Sequence, residues 1–124
     1  MATKYSCKVR IENGFPKAIN DVVFRHFWDG NGGNDVSFPI GTMEGNSESI
    51  FYTIESGSDG YDYWWLSFTY GPKSYAVEKK RCSLNSLDED TLLTFRIQYK
   101  DEKNPYFLLT MNSDSCKEEF KETT

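Results

Sequence analysis

The stretch Ser58-Asp59-Gly60-Tyr61-Asp62-Tyr63-Trp64-Trp65-Leu66-Ser67-Phe68-Thr69-Tyr70 is the one from which the fold is read. From Asp62 onward it has the period of a strand, whose side chains alternate between two faces. Trp64, Leu66, Phe68 and Tyr70 then share an apolar face suited to a core. Tyr63, Trp65, Ser67 and Thr69 share the other, where two large aromatics near the loop are expected to stay partly exposed.

Outward from this strand the same pattern repeats in both directions. Before it, residues 47–54 alternate, with Ile50, Tyr52 and Ile54 opposite Ser49, Phe51 and Thr53, and a loop over 55–60 follows. Residues 36–40 are short and carry Pro39, which suits an edge strand. Three glycines and four Asx residues make 29–35 a loop. Residues 21–28 read as a strand apolar on both faces, expected to be covered on both sides at one end. Residues 5–12 alternate Tyr5, Cys7, Val9, Ile11 with Ser6, Lys8, Arg10, Glu12, and Asn13-Gly14 supplies a turn. After the aromatic strand, Gly71-Pro72-Lys73 turns the chain and 75–79 returns beside it. Residues 83–90 hold the one helix-like piece, a turn or so of 3₁₀. Strands follow over 91–99 and 106–111, separated by a break over 100–105, and the polar tail from Ser113 is expected to fray.

The sum is an all-β chain, a single antiparallel β-sandwich of about eight short strands, in one domain over 1–124 with 1–4 and 117–124 frayed. A small barrel is compatible with the same spacing. No fixed-period repeat points to a propeller or solenoid.

Composition narrows the function classes. An aromatic fraction of 16% and a charged fraction of 27% fit a folded chain. The net charge of −5, with only Lys79-Lys80-Arg81 as a basic run, argues against binding nucleic acid. No apolar run reaches the roughly 20 residues of a membrane span. The opening Met1-Ala2-Thr3-Lys4-Tyr5-Ser6-Cys7 has no apolar core of a signal peptide, and a cytoplasmic protein is expected. Of three cysteines, Cys82 and Cys116 could pair in an oxidising compartment; reduced, partly buried thiols are the expectation.

Several blocks in order resemble a known family. They are Val9-Arg10-Ile11-Glu12-Asn13, Gly60-Tyr61-Asp62-Tyr63-Trp64-Trp65, Ser74-Tyr75, Lys80-Arg81-Cys82-Ser83-Leu84, Leu87-Asp88-Glu89-Asp90, Leu93-Thr94-Phe95 and Ser113-Asp114-Ser115-Cys116. Together they resemble the small nematode and fungal domain family named for its up-regulation in long-lived insulin-receptor mutants, with Asp-Tyr-Trp-Trp and Cys-x-Leu the distinctive blocks. That resemblance implies a stress-response setting without supplying a mechanism. The chain is also similar, more loosely, to actinoporin-like and fungal fruit-body lectin sandwiches, whose Tyr-Asp-Tyr and Trp-rich loops engage phosphocholine headgroups or sugars. Here the opening residues read as a strand rather than the inserting helix of an actinoporin, so pore formation by that route is not implied.

No P-loop, GxSxG or HExxH motif is present. His26, the only imidazole, reads as a structural residue on a strand, and Asp59 with Asp62 reads as a pair of turn formers rather than a glycosidase pair. No catalytic residue is assigned and no enzyme is expected. Tyr61, Asp62, Tyr63 and Trp65 are the candidate ligand residues: aromatic faces stack on sugar rings or hold a quaternary ammonium at roughly 0.5 to 2 kcal/mol per contact, and the acid would bond a hydroxyl or balance the cation. Asp29, Asn31, Asn34 and Asp35 offer oxygen ligands for calcium in one loop, without the glycine spacing of an EF-hand. The expected function is non-catalytic binding of a glycan or a lipid headgroup such as phosphocholine at a membrane surface. The alternatives are a structural or stress protein that self-associates into a homo-oligomer, and a calcium-dependent adhesion module.

Overall fold

Period-two alternation along the chain produces ten strands in two five-stranded sheets, in a computed structural model that describes residues 4–99 and 104–123. Strand β1 is Lys4–Asn13, β2 Ile19–Trp28, β3 Asn34–Met43, β4 Tyr52–Gly57 and β5 Asp62–Tyr70. Strand β6 is Lys73–Arg81, β7 Leu92–Tyr99, β8 Pro105–Thr110, β9 Ser115–Glu119 and β10 Lys121–Glu122. Sheet A has the order β4-β1-β7-β8-β9 and sheet B the order β10-β6-β5-β2-β3. The chain crosses between sheets five times, so each sheet is stitched from segments distant in sequence.

The two sheets bury one face each against the other, as a sandwich requires. Sheet A contributes Val9, Ile11, Leu93, Phe95, Ile97, Phe107 and Leu109; sheet B contributes Val22, Phe24, Trp64, Leu66, Phe68 and Val77. Aromatic rings span the gap edge-on. Phe24 meets Phe95 at 5.7 Å between centroids, and Phe68 meets Phe120 at 5.0 Å with perpendicular planes.

The sandwich class is as expected, and several particulars are corrected. There are ten strands rather than about eight, because the tail is not frayed over its described part. Its strand β9 pairs with β8, the chain crosses at Phe120, which is buried in the core, and β10 pairs with β6. Phe120 at the crossing and Cys116 in β9, packed against the core, anchor an otherwise polar segment. The expected fraying of 1–3 and 124 lies outside the described residues, as does most of the break over 100–105; Lys4 already belongs to β1. The sheets are not wholly antiparallel: β1 runs parallel to β7, with Ile11 beside Phe95.

The strand expected over 47–54 begins only at Tyr52 and runs on to Gly57. Ahead of it, the Ser49 hydroxyl accepts from Ile11 N–H at 2.9 Å and Ser49 N–H donates to Ile11 C=O at 2.8 Å. A side chain thus takes a ladder position, and Ile50 turns out to solvent. Strand β3 is an edge strand carrying Pro39, and it is longer than expected, starting inside the Asx-rich loop at Asn34. Among the described residues no other element covers the outer face of β2: Val23 is exposed, and Phe27 lies beside Tyr63 on the open face of sheet B.

Cys82 and Cys116 are joined by a disulfide, with Cα atoms 6.3 Å apart. This corrects the expectation of reduced thiols. Cys82 directly follows β6 in sheet B and Cys116 sits in β9 of sheet A, so the bond ties the two sheets together across 34 residues of sequence. Cys7 remains a free, buried thiol.

Candidate functional site

Strand β5 carries two sites of opposite character, separated by the pleat. On its inner side Asp62 is 1% exposed. Its Oδ1 accepts from His26 Nε2 at 2.7 Å, and its Oδ2 accepts from Ser56 Oγ at 2.8 Å and from Leu84 N–H at 2.9 Å. The imidazole of His26 is fully buried and lies against Trp64, with 4.5 Å between ring centroids. A buried carboxylate with three donors is satisfied rather than reactive. The order Ser56–Asp62–His26 also differs from a nucleophile triad, where the imidazole stands between serine and acid; here the serine hydroxyl donates to the acid directly.

The expectation that Asp62 faces a ligand is therefore corrected. The alternation that exposes Tyr63 and Trp65 turns Asp62 inward, and its neighbours are backbone and core.

Four of the blocks that carried the family resemblance converge on this knot. Trp64 Nε1 donates to Cys82 C=O at 2.8 Å, and Cys82 N–H donates to Asp62 C=O at 3.0 Å. Asp88, also fully buried, closes the 3₁₀ turn Ser86–Asp88 by accepting from Asn85 N–H at 2.9 Å. Its carboxylate reaches on to Ser113, accepting from N–H at 3.0 Å and from Oγ at 2.6 Å. Cys116 then returns to Cys82 through the disulfide. Asp-Tyr-Trp-Trp, Cys-x-Leu, Leu-Asp-Glu-Asp and Ser-Asp-Ser-Cys thus serve to hold one end of the sandwich together. Burial pushes the Cys7 thiol up to about 12, with further upward contributions from Asp62 and then Asp88. This thiol is inert rather than nucleophilic.

On the outer side of β5 lie Tyr63 and Trp65, half-buried, with exposed Tyr61 just ahead of the strand. Phe27 from β2 stacks beside Tyr63, 6.2 Å between centroids. Each ring carries a cation of the chain itself. The Arg25 guanidinium lies 4.0 Å from the Trp65 centroid, Arg81 lies 4.7 Å from Tyr61, and Lys79 Nζ lies 5.4 Å from Tyr63. Arg25 is further held by Asp35 through two bonds, Nε to Oδ1 at 2.9 Å and Nη2 to Oδ2 at 2.8 Å. That bond raises the Arg25 guanidinium above its ordinary value and lowers the Asp35 carboxyl below its own. Beside Trp65 a shallow depression of about 210 Å³ is lined by Val23, Arg25, Ser37, Ala76 and Glu78.

The four residues of the calcium expectation do not converge. Asp35 is engaged by Arg25, and Asp29 Oδ1 accepts from Tyr61 N–H at 2.6 Å. Asn34 Oδ1 accepts from Glu55 N–H at 3.4 Å, and Asn31 uses its backbone N–H to reach Asp59 Oδ2 at 2.8 Å. The Asp29 and Asp59 carboxylates pin the 29–33 loop to the 58–61 loop, while Asn34 and Asp35 bond Glu55 and Arg25 instead. Gly60 has φ 72° and packs on Gly30, where an added Cβ would stand 2.5 Å from the Gly30 nitrogen, so the two loops touch backbone to backbone. Among the described residues no group of three His, Cys, Asp or Glu side chains could hold a metal ion.

Of the candidate ligand residues, Tyr61, Tyr63 and Trp65 share one surface and Asp62 lies behind it. Sequence reasoning missed Phe27, Arg25, Lys79 and Arg81, which join that surface from β2 and β6. The register supplies the signal after the fact: Arg25 pairs with Trp65, Phe27 with Tyr63, and Tyr63 with Arg81. Among the described residues no helix is long and apolar enough to cross a membrane. No protein-family model matches the chain, and no curated protein matches it.

Proposed function

We propose that this chain is a non-catalytic binding module that recognises a small polar ligand, a glycan before a lipid headgroup, on the outer face of sheet B. The observation that carries the reading is the row Tyr61, Tyr63 and Trp65, with Phe27, on a sheet face that no other element covers among the described residues. Flat, half-buried rings on a rigid sheet form a platform for the apolar face of a sugar, and little side-chain freedom is lost when a ring stacks there.

The order of preference between ligands follows from charge. A quaternary ammonium needs a bare aromatic face, and here Arg25, Lys79 and Arg81 already stand over the rings. A choline group would have to displace a cation and then sit beside the others, which opposes the attraction that recommends it. A neutral or acidic sugar must also shift a cation off the ring it stacks on, but the cations beside it do not repel it and can donate to its oxygens. The non-catalytic part rests on the closure of the imidazole: His26 is sealed from solvent against Asp62 and Trp64, out of reach of any bound molecule.

Tryptophan fluorescence tests the reading. Trp28 and Trp64 are buried, so a saturable shift on titration with oligosaccharides reports on Trp65. A glycan array with wild type, Tyr63→Ala and Trp65→Ala should show binding that either substitution weakens about tenfold. Binding unchanged in both variants would place the ligand elsewhere.

A further inference from the structure

Resting on that reading, we infer that the ligand is an acidic glycan whose sulfate or carboxylate group is held by Lys79 and Arg81 while its ring lies on Tyr63. Three observations lead to this. The first is that the outer face holds two cations with no acidic partner. Among the described residues Lys79 and Arg81 make no ion pair, whereas Arg25 is spoken for by Asp35, Lys80 by Glu118 and Lys73 by Glu122. On a chain of net charge −5, leaving two neighbouring cations unpaired makes them a local basic spot in an acidic surround.

The second observation is how the spot is built. Strand β6 slips register against β5 between Trp64 and Leu66, and Lys79 stands at that slip with φ 49°. A bulge inserts one residue and re-aims side chains at a strand edge. Its effect here is that Lys79 Nζ and the Arg81 guanidinium both reach the aromatic side, 5.4 Å from Tyr63 and 4.7 Å from Tyr61. The slip sets two residues, Glu78 and Lys79, opposite Trp65, while Tyr63 pairs with Arg81; with the Lys79 ammonium over the Tyr63 ring, cation, ring, cation and ring form one group. Lys79 and Arg81 line a groove along β6 together with Glu78, Glu118, Glu119 and Glu122, of which Glu118 pairs with Lys80 and Glu122 with Lys73.

The third observation separates an acidic sugar from an anionic membrane. A bilayer surface is engaged by apolar side chains that protrude and enter it. On this face Tyr63, Trp65 and Phe27 are half-buried, and among the described residues only Val23 and Tyr61 are exposed large apolar side chains. A flat platform rimmed by two donors matches a ring with an attached oxyanion, which stacks and accepts charge-assisted bonds at once.

The test uses the whole chain and a sulfated hexuronate hexasaccharide of defined length, its desulfated, carboxyl-reduced counterpart, and vesicles of anionic phospholipid. Lys79→Asn with Arg81→Gln removes both charges, and asparagine tolerates the positive φ at 79, so folding is preserved and is checked by the unfolding midpoint. Lys8→Gln on sheet A is the control for general charge. The expected result is at least about tenfold preference for the acidic over the neutral oligosaccharide, lost in the double variant and retained in Lys8→Gln. Equal affinity for the two oligosaccharides, unaffected by the double variant, would overturn the acidic assignment and leave the glycan reading standing. Equal losses in the double variant and in Lys8→Gln would reduce the effect to net charge and overturn the site. Binding to vesicles without binding to the soluble acidic sugar would overturn the choice of glycan. Silence toward every sugar and vesicle would overturn the reading on which the inference rests.

Discussion

Asp62 and Tyr63 are neighbours on one strand and belong to different worlds. The inner side of β5 is a sealed polar knot in which the Asp62 carboxylate accepts from an imidazole, a serine hydroxyl and a backbone N–H. The outer side is an open row of rings and cations with donors to spare. Both are rich in the residue types that mark functional sites. The difference teaches that residue type proposes a role and burial disposes of it: a buried polar group that is fully partnered specifies the fold, while an exposed aromatic beside an unpaired cation is free to meet a ligand.

The largest test of this contrast is Asp62→Ala. It leaves His26, Ser56 and Leu84 N–H without their acceptor inside the core, and a loss of about 3 to 5 kcal/mol is expected in urea unfolding. A loss below about 1 kcal/mol would mean that the knot does not hold the fold. Next is the disulfide. Replacing Cys82 and Cys116 together by serine removes a cross-link over 34 residues and should lower stability by about 3 kcal/mol, with increased amide exchange in β9 and β10. Loss of protection spread evenly over both sheets would show that the bond serves the whole fold rather than the tail.

On the outer side, Trp65→Ala should cost no more than about 1.5 kcal/mol of stability, well under the cost at Asp62, while weakening ligand about tenfold. A cost as large as that of Asp62→Ala would erase the distinction between the two faces. The pH dependence sharpens it from inside. Because burial raises the Cys7 thiol from 9.0 to about 12, its neutral form stabilises the folded state fully below about pH 9. That contribution is lost as pH rises through about 12, so wild type should lose stability in this window faster than Cys7→Ala does. The smallest effect belongs to Asp35→Asn. The Asp35 carboxyl is lowered by its bond to Arg25, so its contribution is present at neutral pH and disappears as pH falls below 3.8. Exposure and screening hold it to about 0.5 kcal/mol.

Much of the fold was legible because the signal is local. Strand β5 announces itself through alternation, and Trp64, Leu66 and Phe68 face the core as that period requires. The 3₁₀ turn at Ser86–Asp88 was legible from an acidic stretch between strands. Strand β4 was misplaced because its alternation starts before its ladder does: Ser49 mimics a strand position through its hydroxyl, and periodicity does not distinguish a side-chain bond from a backbone one. The tail was misread because it is polar except at Cys116 and Phe120, and two isolated apolar residues in such a segment carry little periodic signal.

The candidate site was half legible for a related reason. Tyr61, Tyr63 and Trp65 are close in sequence and were found together. Arg25, Lys79 and Arg81 reach the same surface through strand pairing and a bulge, which depend on residues far along the chain. Asp62 was misassigned because aromatic company in sequence says nothing of company in space.

By itself the sequence determined an all-β chain, its core face along β5, its turn positions and the charge that disfavours nucleic acid, since each follows from neighbours within a few residues. Only the tertiary structure decided which cysteines meet, that β1 lies parallel to β7, that the motif-like blocks close one end of the sandwich, and which cations stand over the rings. Those are matters of register and burial between distant segments, and the energy that selects them exists only once the two sheets have come together.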